Sequence, residues 1–232
     1  MSYFEVPKPN TTTIMQQKIS AIITGATGMV GEGVLHECLQ SEQVERVLVI
    51  GRKPCGYTHP KLKEILHVDF LNITNIEAQL MGYNACYFCL GISSVGVDKP
   101  TYFKMTHTLA LHFAETLLRQ SPNLTFYYVS GEGTDIKERG TGWAAVKGKT
   151  ENDLAKLPFR AVYNFRPGFM HPTEGLQNTL PYYKYIGWAY PLARATGYAT
   201  LLSELGQAMI KVSTNGYKQS VLKVRDIIAA AK

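Results

Sequence analysis

The stretch ITGATGMVG (residues 23–31) constrains this chain more than any other. Gly25, Gly28 and Gly31 are evenly spaced, directly after the apolar run KISAIIT (18–24) and ahead of a helical stripe formed by Val30, Val34, Leu35 and Cys38. Between strand and helix, the first glycine permits a tight turn. The second lets backbone approach an anion, and the third lets helix and strand pack closely. The amino end of the helix then offers free N–H groups and a partial positive charge. The alternative is a plain strand-to-helix turn. At the first β–α turn of an alternating chain, the turn from Gly25 to Gly31, including Thr27, Met29 and Val30, reads as a seat for the pyrophosphate of a dinucleotide.

Alternation continues along the chain. Strand-like runs at VERVLVIG (44–51), EILHVDF (64–70), YNACYFCLG (83–91), NLTFYYVSG (123–131) and FRAVYNFRPG (159–168) are separated by helical patterns, notably over 101–119 and 143–156. A short helix is expected at NIEAQL, a helix at 201–212, a short strand at SVLKV and a last helix from Asp226. Continuous apolar strands between amphipathic helices predict an α/β fold: a doubly wound, Rossmann-like parallel sheet covered on both faces. Ligands of such a sheet bind at the carboxyl ends of its strands. Residues 1–17 read as an extended arm and 18–232 as a single domain, in which 169–200 form an irregular, aromatic, variable substrate-side segment.

The 232 residues carry a formal charge of +6, which suits an anionic cofactor or substrate. Nucleic acid would suit it too, but no recognition motif for nucleic acid is present. No apolar run reaches the ~20 residues of a membrane span, and the first residues lack a signal-peptide core, so a cytoplasmic location is expected. Cys38, Cys55, Cys86 and Cys89 fit a reduced compartment. Cys86 and Cys89 form a C-x-x-C, but on a strand residues three apart face opposite ways, so packing is expected rather than redox or zinc chemistry.

The second strand bears on cofactor choice. An acid about 20 residues past the glycines binds the ribose hydroxyls of NAD. Here that place reads Ile50-Gly51-Arg52-Lys53. Two cations and no acid argue for NADP(H) over NAD(H), with Arg52 able to stack on adenine and pair with a 2′-phosphate. The bland alternative is a solvated basic turn.

ITGATGMVG, GRK after the second strand, VDF (68–70), CLG (89–91), YVSG (128–131) and FRPG (165–168) occur in the order found in the short-chain dehydrogenase/reductase superfamily. The chain resembles its extended and atypical members, of the Tat-interacting-protein-like or NAD-dependent epimerase/dehydratase-like branch, over roughly residues 18–232. The resemblance implies that Asp69 accepts from the adenine amino group with Phe70 beside the ring, and that Leu90, Gly91 and Ile92 form the wall along the ribose, Ser93 lying further along it. It implies that Ser130 steadies a substrate oxygen, and that Pro167 and Gly168 turn beside the nicotinamide.

The departure concerns the proton donor. The superfamily uses a tyrosine four residues before a lysine that binds the ribose and lowers the tyrosine pKa. Lys147 stands in the lysine's place, in GWAAVKGK, but four residues earlier is Trp143, whose indole N–H donates a hydrogen bond and cannot exchange a proton near neutral pH. His171 is a candidate substitute acid. His107 and His112 make a poor metal pair, His36 reads as surface or satisfied core, and no metal site is expected. PYYKYIGWAY (181–190) suits a pocket wall, a protein partner, or packing over the sheet edge. Two functions follow: an NADP(H)-binding protein, weakly catalytic or non-catalytic and regulatory, or an NADP-dependent oxidoreductase or sugar-type epimerase/dehydratase acting on an unknown small molecule through a substitute acid.

Overall fold

The computed structural model describes residues 17–140, 142–179 and 187–232. Seven strands form one sheet: β1 (Ile19–Thr24), β2 (Val44–Gly51), β3 (Leu62–Leu66), β4 (Ala85–Phe88), β5 (Thr125–Val129), β6 (Ala161–Arg166) and β9 (Val221–Lys223). Their order is β3-β2-β1-β4-β5-β6-β9, and every pairing is parallel. β7 (Phe169–His171) and β8 (Ala199–Leu201) make a separate parallel pair. The helices are α1 (Met29–Gln40), α2 (Lys99–Phe103), α3 (Leu109–Gln120), α4 (Trp143–Leu154), α5 (Tyr190–Ala195), α6 (Leu202–Asn215) and α7 (Val224–Ala230).

Period-two alternation within the strands divides the core into two layers. Ala21 and Ile23 of β1, with Val47 and Val49 of β2, meet Val34, Leu35 and Cys38 of α1, Leu205 and Met209 of α6 and Ile227 of α7. Ile22, Leu48, Cys86, Phe88 and Phe126 face the other way, onto Phe113 and Leu117 of α3. Phe113 and Leu117 are fully buried, each worth about 1.5–3 kcal/mol of transfer free energy. This is the doubly wound sheet that the apolar strand pattern predicts. Winding reverses between β1 and β4, so the crevice where ligands bind opens beyond their carboxyl ends. The two cysteines of the C-x-x-C lie on opposite layers, Cys86 with α3 and Cys89 against the α1 side. Burial raises both thiols, Cys89 to about 12. Among the described residues no group of three or more His, Cys, Asp or Glu side chains is placed to hold a metal.

Three local expectations are corrected. The third strand runs 62–66 rather than 64–70, because His67 Nε2 lies 2.7 Å from the Asp69 carbonyl and 2.9 Å from that of Asn72 and curls VDF into a turn. The helical stretch at 101–119 is interrupted by a π-helical turn, Lys104–Thr108. Residues 169–199 are not simply irregular: they hold β7, a 3₁₀ turn (Gly187–Ala189) and α5, and β8 begins at their end. Much of the aromatic segment 181–190, including Tyr182 and Tyr185, lies outside the described residues, as does nearly all of the arm at 1–17.

Candidate active site

β1 delivers the glycine turn to the crevice. Gly25 has φ 76°, and a Cβ there would sit 2.7 Å from the Cys89 carbonyl oxygen at the end of β4. A Cβ on Gly31 would sit 2.2 Å from the Gly25 carbonyl oxygen, so no larger residue fits while the turn keeps its shape. The Gly28 N–H donates to the Gly25 carbonyl at 2.9 Å. Gly28 caps α1 without any side-chain hydrogen bond, so the amino end of a 12-residue helix faces the cleft with no protein acceptor supplied by its cap. An anion fits there, and the close backbone approach is what a pyrophosphate needs.

Two cavities meet at Leu90, Gly91 and Ile92, just past β4. The larger, about 330 Å³, runs from Gly28, Met29, Val30 and Gly31 across to Ser130, Lys147 and Pro167. The smaller, about 100 Å³, is lined by Arg52, Asp69 and Phe70 together with Met105 and Leu109. Its position beside the β2 end, with an apolar floor, an acceptor and a cation, suits an adenosine. The π-helical turn brings Met105 into this wall, a contribution the sequence pattern did not show. Thr27 and Lys53 are exposed and line neither cavity. Gly168 also lines neither; a Cβ there would meet the Tyr198 carbonyl, so it packs the turn from β6 into β7. A wider depression of about 810 Å³ lies at the amino ends of the strands, near Ser20, Asn84 and Arg160. A parallel sheet binds ligands at the opposite edge, so this depression is not the cofactor cleft.

Past β5 and β6 the wall includes Ser130 and Lys147, backed by the buried charges of Glu151 and Arg166. Ser130, 4% exposed, places Oγ 2.5 Å from Glu151 Oε1 and 3.2 Å from the Phe165 carbonyl. A hydroxyl has one proton, and the shorter contact to a carboxylate takes it. Glu151, 2% exposed, also receives the Arg166 guanidinium, Nε to Oε1 at 2.9 Å and Nη2 to Oε2. Lys147 Nζ donates to the Ser130 carbonyl. Burial lowers the Lys147 ammonium to about 8, with the nearby Glu151 charge opposing that shift. Trp143 is the first residue of α4, 41% exposed, with its ring edge at Gly133 and outside the cleft lining. His171 packs against Tyr190 with ring centroids 4.6 Å apart and planes tilted by 55°, and places Nδ1 3.0 Å from the Pro172 carbonyl; its neighbour Met170, rather than His171, lines the cleft.

Two supporting acids are absent from the sequence reading. Glu151 lies four residues after Lys147, one helical turn on, and that spacing was the available signal. Glu32, fully buried beside the glycine turn, accepts from the Tyr57 hydroxyl at 2.5 Å and from the Gln177 and Asn178 N–H groups at 2.7 Å each. It ties the loop after β2 and the segment after β7 to the start of α1. Burial raises the Glu32 pKa, but these hydrogen bonds outweigh it and leave the group below its ordinary value.

A model of the NAD dependent epimerase/dehydratase family matches residues 21–138, the span holding the glycine turn, the adenosine wall and β5. The chain belongs to this family. It is 26% identical over 229 residues to protein HTATIP2 of Rattus norvegicus, covering 94% of this chain and 91% of that protein. Among solved structures, a UDP-N-acetylglucosamine 4-epimerase from Methanobrevibacter ruminantium M1, in complex with UDP-N-acetylmuramic acid, superposes with a TM-score of 0.65. The match is at 15% identity and covers 89% of this chain and 76% of the epimerase. A short-chain dehydrogenase from Burkholderia cenocepacia J2315 in complex with NADP superposes with a TM-score of 0.62 at 14% identity, covering 93% of each chain. These likenesses show the Rossmann-like fold. Among the described residues no helix is long and apolar enough to cross a membrane.

Proposed function

We propose that this protein is an NADP(H)-binding member of its family whose chemistry is weak or absent, and that it works in the cytoplasm as a single Rossmann domain over residues 18–232 with a regulatory, cofactor-sensing role. The observation that carries the reading is Trp143, one turn before Lys147 on α4 and outside the cleft, at the position where the family resemblance implies the acid tyrosine. The turn Gly25–Gly31 would hold the pyrophosphate, Arg52 a 2′-phosphate, Asp69 and Phe70 the adenine, and Leu90, Gly91, Ile92 and Lys147 the ribose side, with Pro167 and Gly168 near the nicotinamide. When bound, the dinucleotide supplies or accepts a hydride. Arg52, which lines the smaller cavity with Asp69 and Phe70, supports NADP(H) over NAD(H).

The second reading is an NADP-dependent oxidoreductase or sugar-type epimerase/dehydratase with another proton donor. The half-buried Lys147 and the intact Ser130–Glu151–Arg166 network favour keeping it. Calorimetric titration of NADPH and NADH tests the cofactor assignment. NADPH binds at least about tenfold more tightly, worth about 1.4 kcal/mol, and Arg52→Ala closes most of the gap. Equal affinities in the wild type refute it.

A further inference from the structure

We propose that the Lys147 ammonium is itself the proton donor of this site, filling the role left open by Trp143. The inference rests on the second reading, in which the cleft reduces a carbonyl. Of the described residues lining the large cavity, only Lys147 and Cys89 carry a titratable proton. Cys89 stands at the end of β4 with its carbonyl against Gly25, on the phosphate side. Lys147 stands across the cleft, bonded to the Ser130 carbonyl. The other candidates are spent or turned away: the Ser130 proton goes to Glu151, His171 lies outside the lining with Nδ1 at the Pro172 carbonyl, and Trp143 lies outside the lining too. An ammonium has three N–H bonds. One goes to the Ser130 carbonyl, which leaves two for a substrate oxygen and a ribose hydroxyl.

The surroundings keep this proton mobile. Burial brings the ammonium down to about 8, so it is mainly protonated at neutral pH and still able to release a proton. Glu151, on the same helix, opposes that shift, but Arg166 of β6 and Ser130, just past β5, already share its carboxylate. Tyr128 of β5 and Tyr102 of α2 belong to the same charge neighbourhood, and burial raises both, so they stay neutral. Cys89, just past β4, is raised likewise. As a carbonyl substrate gains hydride at carbon, its C=O π electrons move to oxygen. One Nζ–H bond breaks as the O–H bond forms, and the amine left on Nζ takes a proton from water. The carbonyl is reduced and a reduced nicotinamide is the reductant.

The test combines a variant with a direct titration. Arg in place of Lys147 keeps the positive charge but cannot release a proton near neutral pH. Lys147→Arg is expected to lower carbonyl turnover at saturating NADPH about 100-fold. Wild-type kcat/KM falls as pH rises through about 8. In NMR of the ¹³C-methylated apoprotein, one lysine signal titrates near 8 and disappears in Lys147→Arg, or in Lys147→Gln if the arginine variant fails to fold. A Lys147 signal titrating in the ordinary lysine range overturns the proposal. So does turnover retained in a folded Lys147→Arg, and so does a wild type that binds NADPH yet reduces no carbonyl across a broad panel. The last result leaves NADP(H) binding standing. A wild type that binds no NADPH removes the cofactor reading itself, and with it this proposal.

Discussion

Where β1 and β4 end, the cleft is walled by backbone: Gly25 pressed on the Cys89 carbonyl, Gly31 pressed on Gly25, and the bare amino end of α1. Where β5 and β6 end, it is lined by Ser130 and Lys147, with Glu151 and Arg166 buried behind them and bonded into the same network. The first wall needs residues that are small. The second needs particular functional groups, and one replacement changes what it can do. A site built this way can change its side-chain wall without disturbing its backbone wall, since the residues that line the two ends come from different strand ends.

The comparison breaks most sharply at the glycines. In Gly31→Val the new side chain collides with the Gly25 carbonyl, so NADPH binding falls by more than about 100-fold, as calorimetry would detect. Near-normal affinity would mean that the turn is not the pyrophosphate seat. On the other wall, Arg166→Met leaves Glu151 buried without its cation, at a cost of about 3–5 kcal/mol in urea unfolding. A loss below 1 kcal/mol would show that the pair is not closed in solution. If the site lacks only its usual acid, Trp143→Tyr, one turn before Lys147 on α4, raises turnover of a carbonyl panel by about 10–100-fold. No gain in a folded variant rules out a simple lost-acid account.

The smallest effect concerns Glu32, where the walls meet the flanking loops. Its folded pKa lies below the ordinary value. Its contribution is therefore full above the ordinary carboxylate range and is lost as pH falls through and below it. Glu32→Gln costs about 1–2 kcal/mol at pH 7, and its stability falls less steeply between pH 5 and 3 than that of wild type, as thermal melts across that range would show. Parallel pH curves for the two proteins contradict a linking role for this carboxylate.

The sequence showed the backbone wall better than the side-chain wall, for a physical reason. Buried strands of a parallel sheet are continuous apolar runs, and VERVLVIG was bounded to the residue because its last glycine ends the pattern. The glycine turn is local, so spacing alone described it. Nothing local marks the roles of Glu32 and Glu151, because the partners that hold them come from other elements of the fold. β7 and β8 are too short to show a period. His67 ended β3 early by bonding two carbonyls just ahead of it, which no propensity records.

The packing of α1 has a consequence for the order of events during synthesis. Val34 and Leu35 complete their core with Leu205 and Met209 of α6, and a Cβ on Gly33 would strike the Leu202 side chain. The helix that begins the cofactor turn is thus covered by residues translated some 170 positions later, roughly ten seconds or more at ribosomal speed. Until then its apolar face stays bare, and a nascent chain halted before α6 is a client for chaperones rather than a binder of dinucleotide.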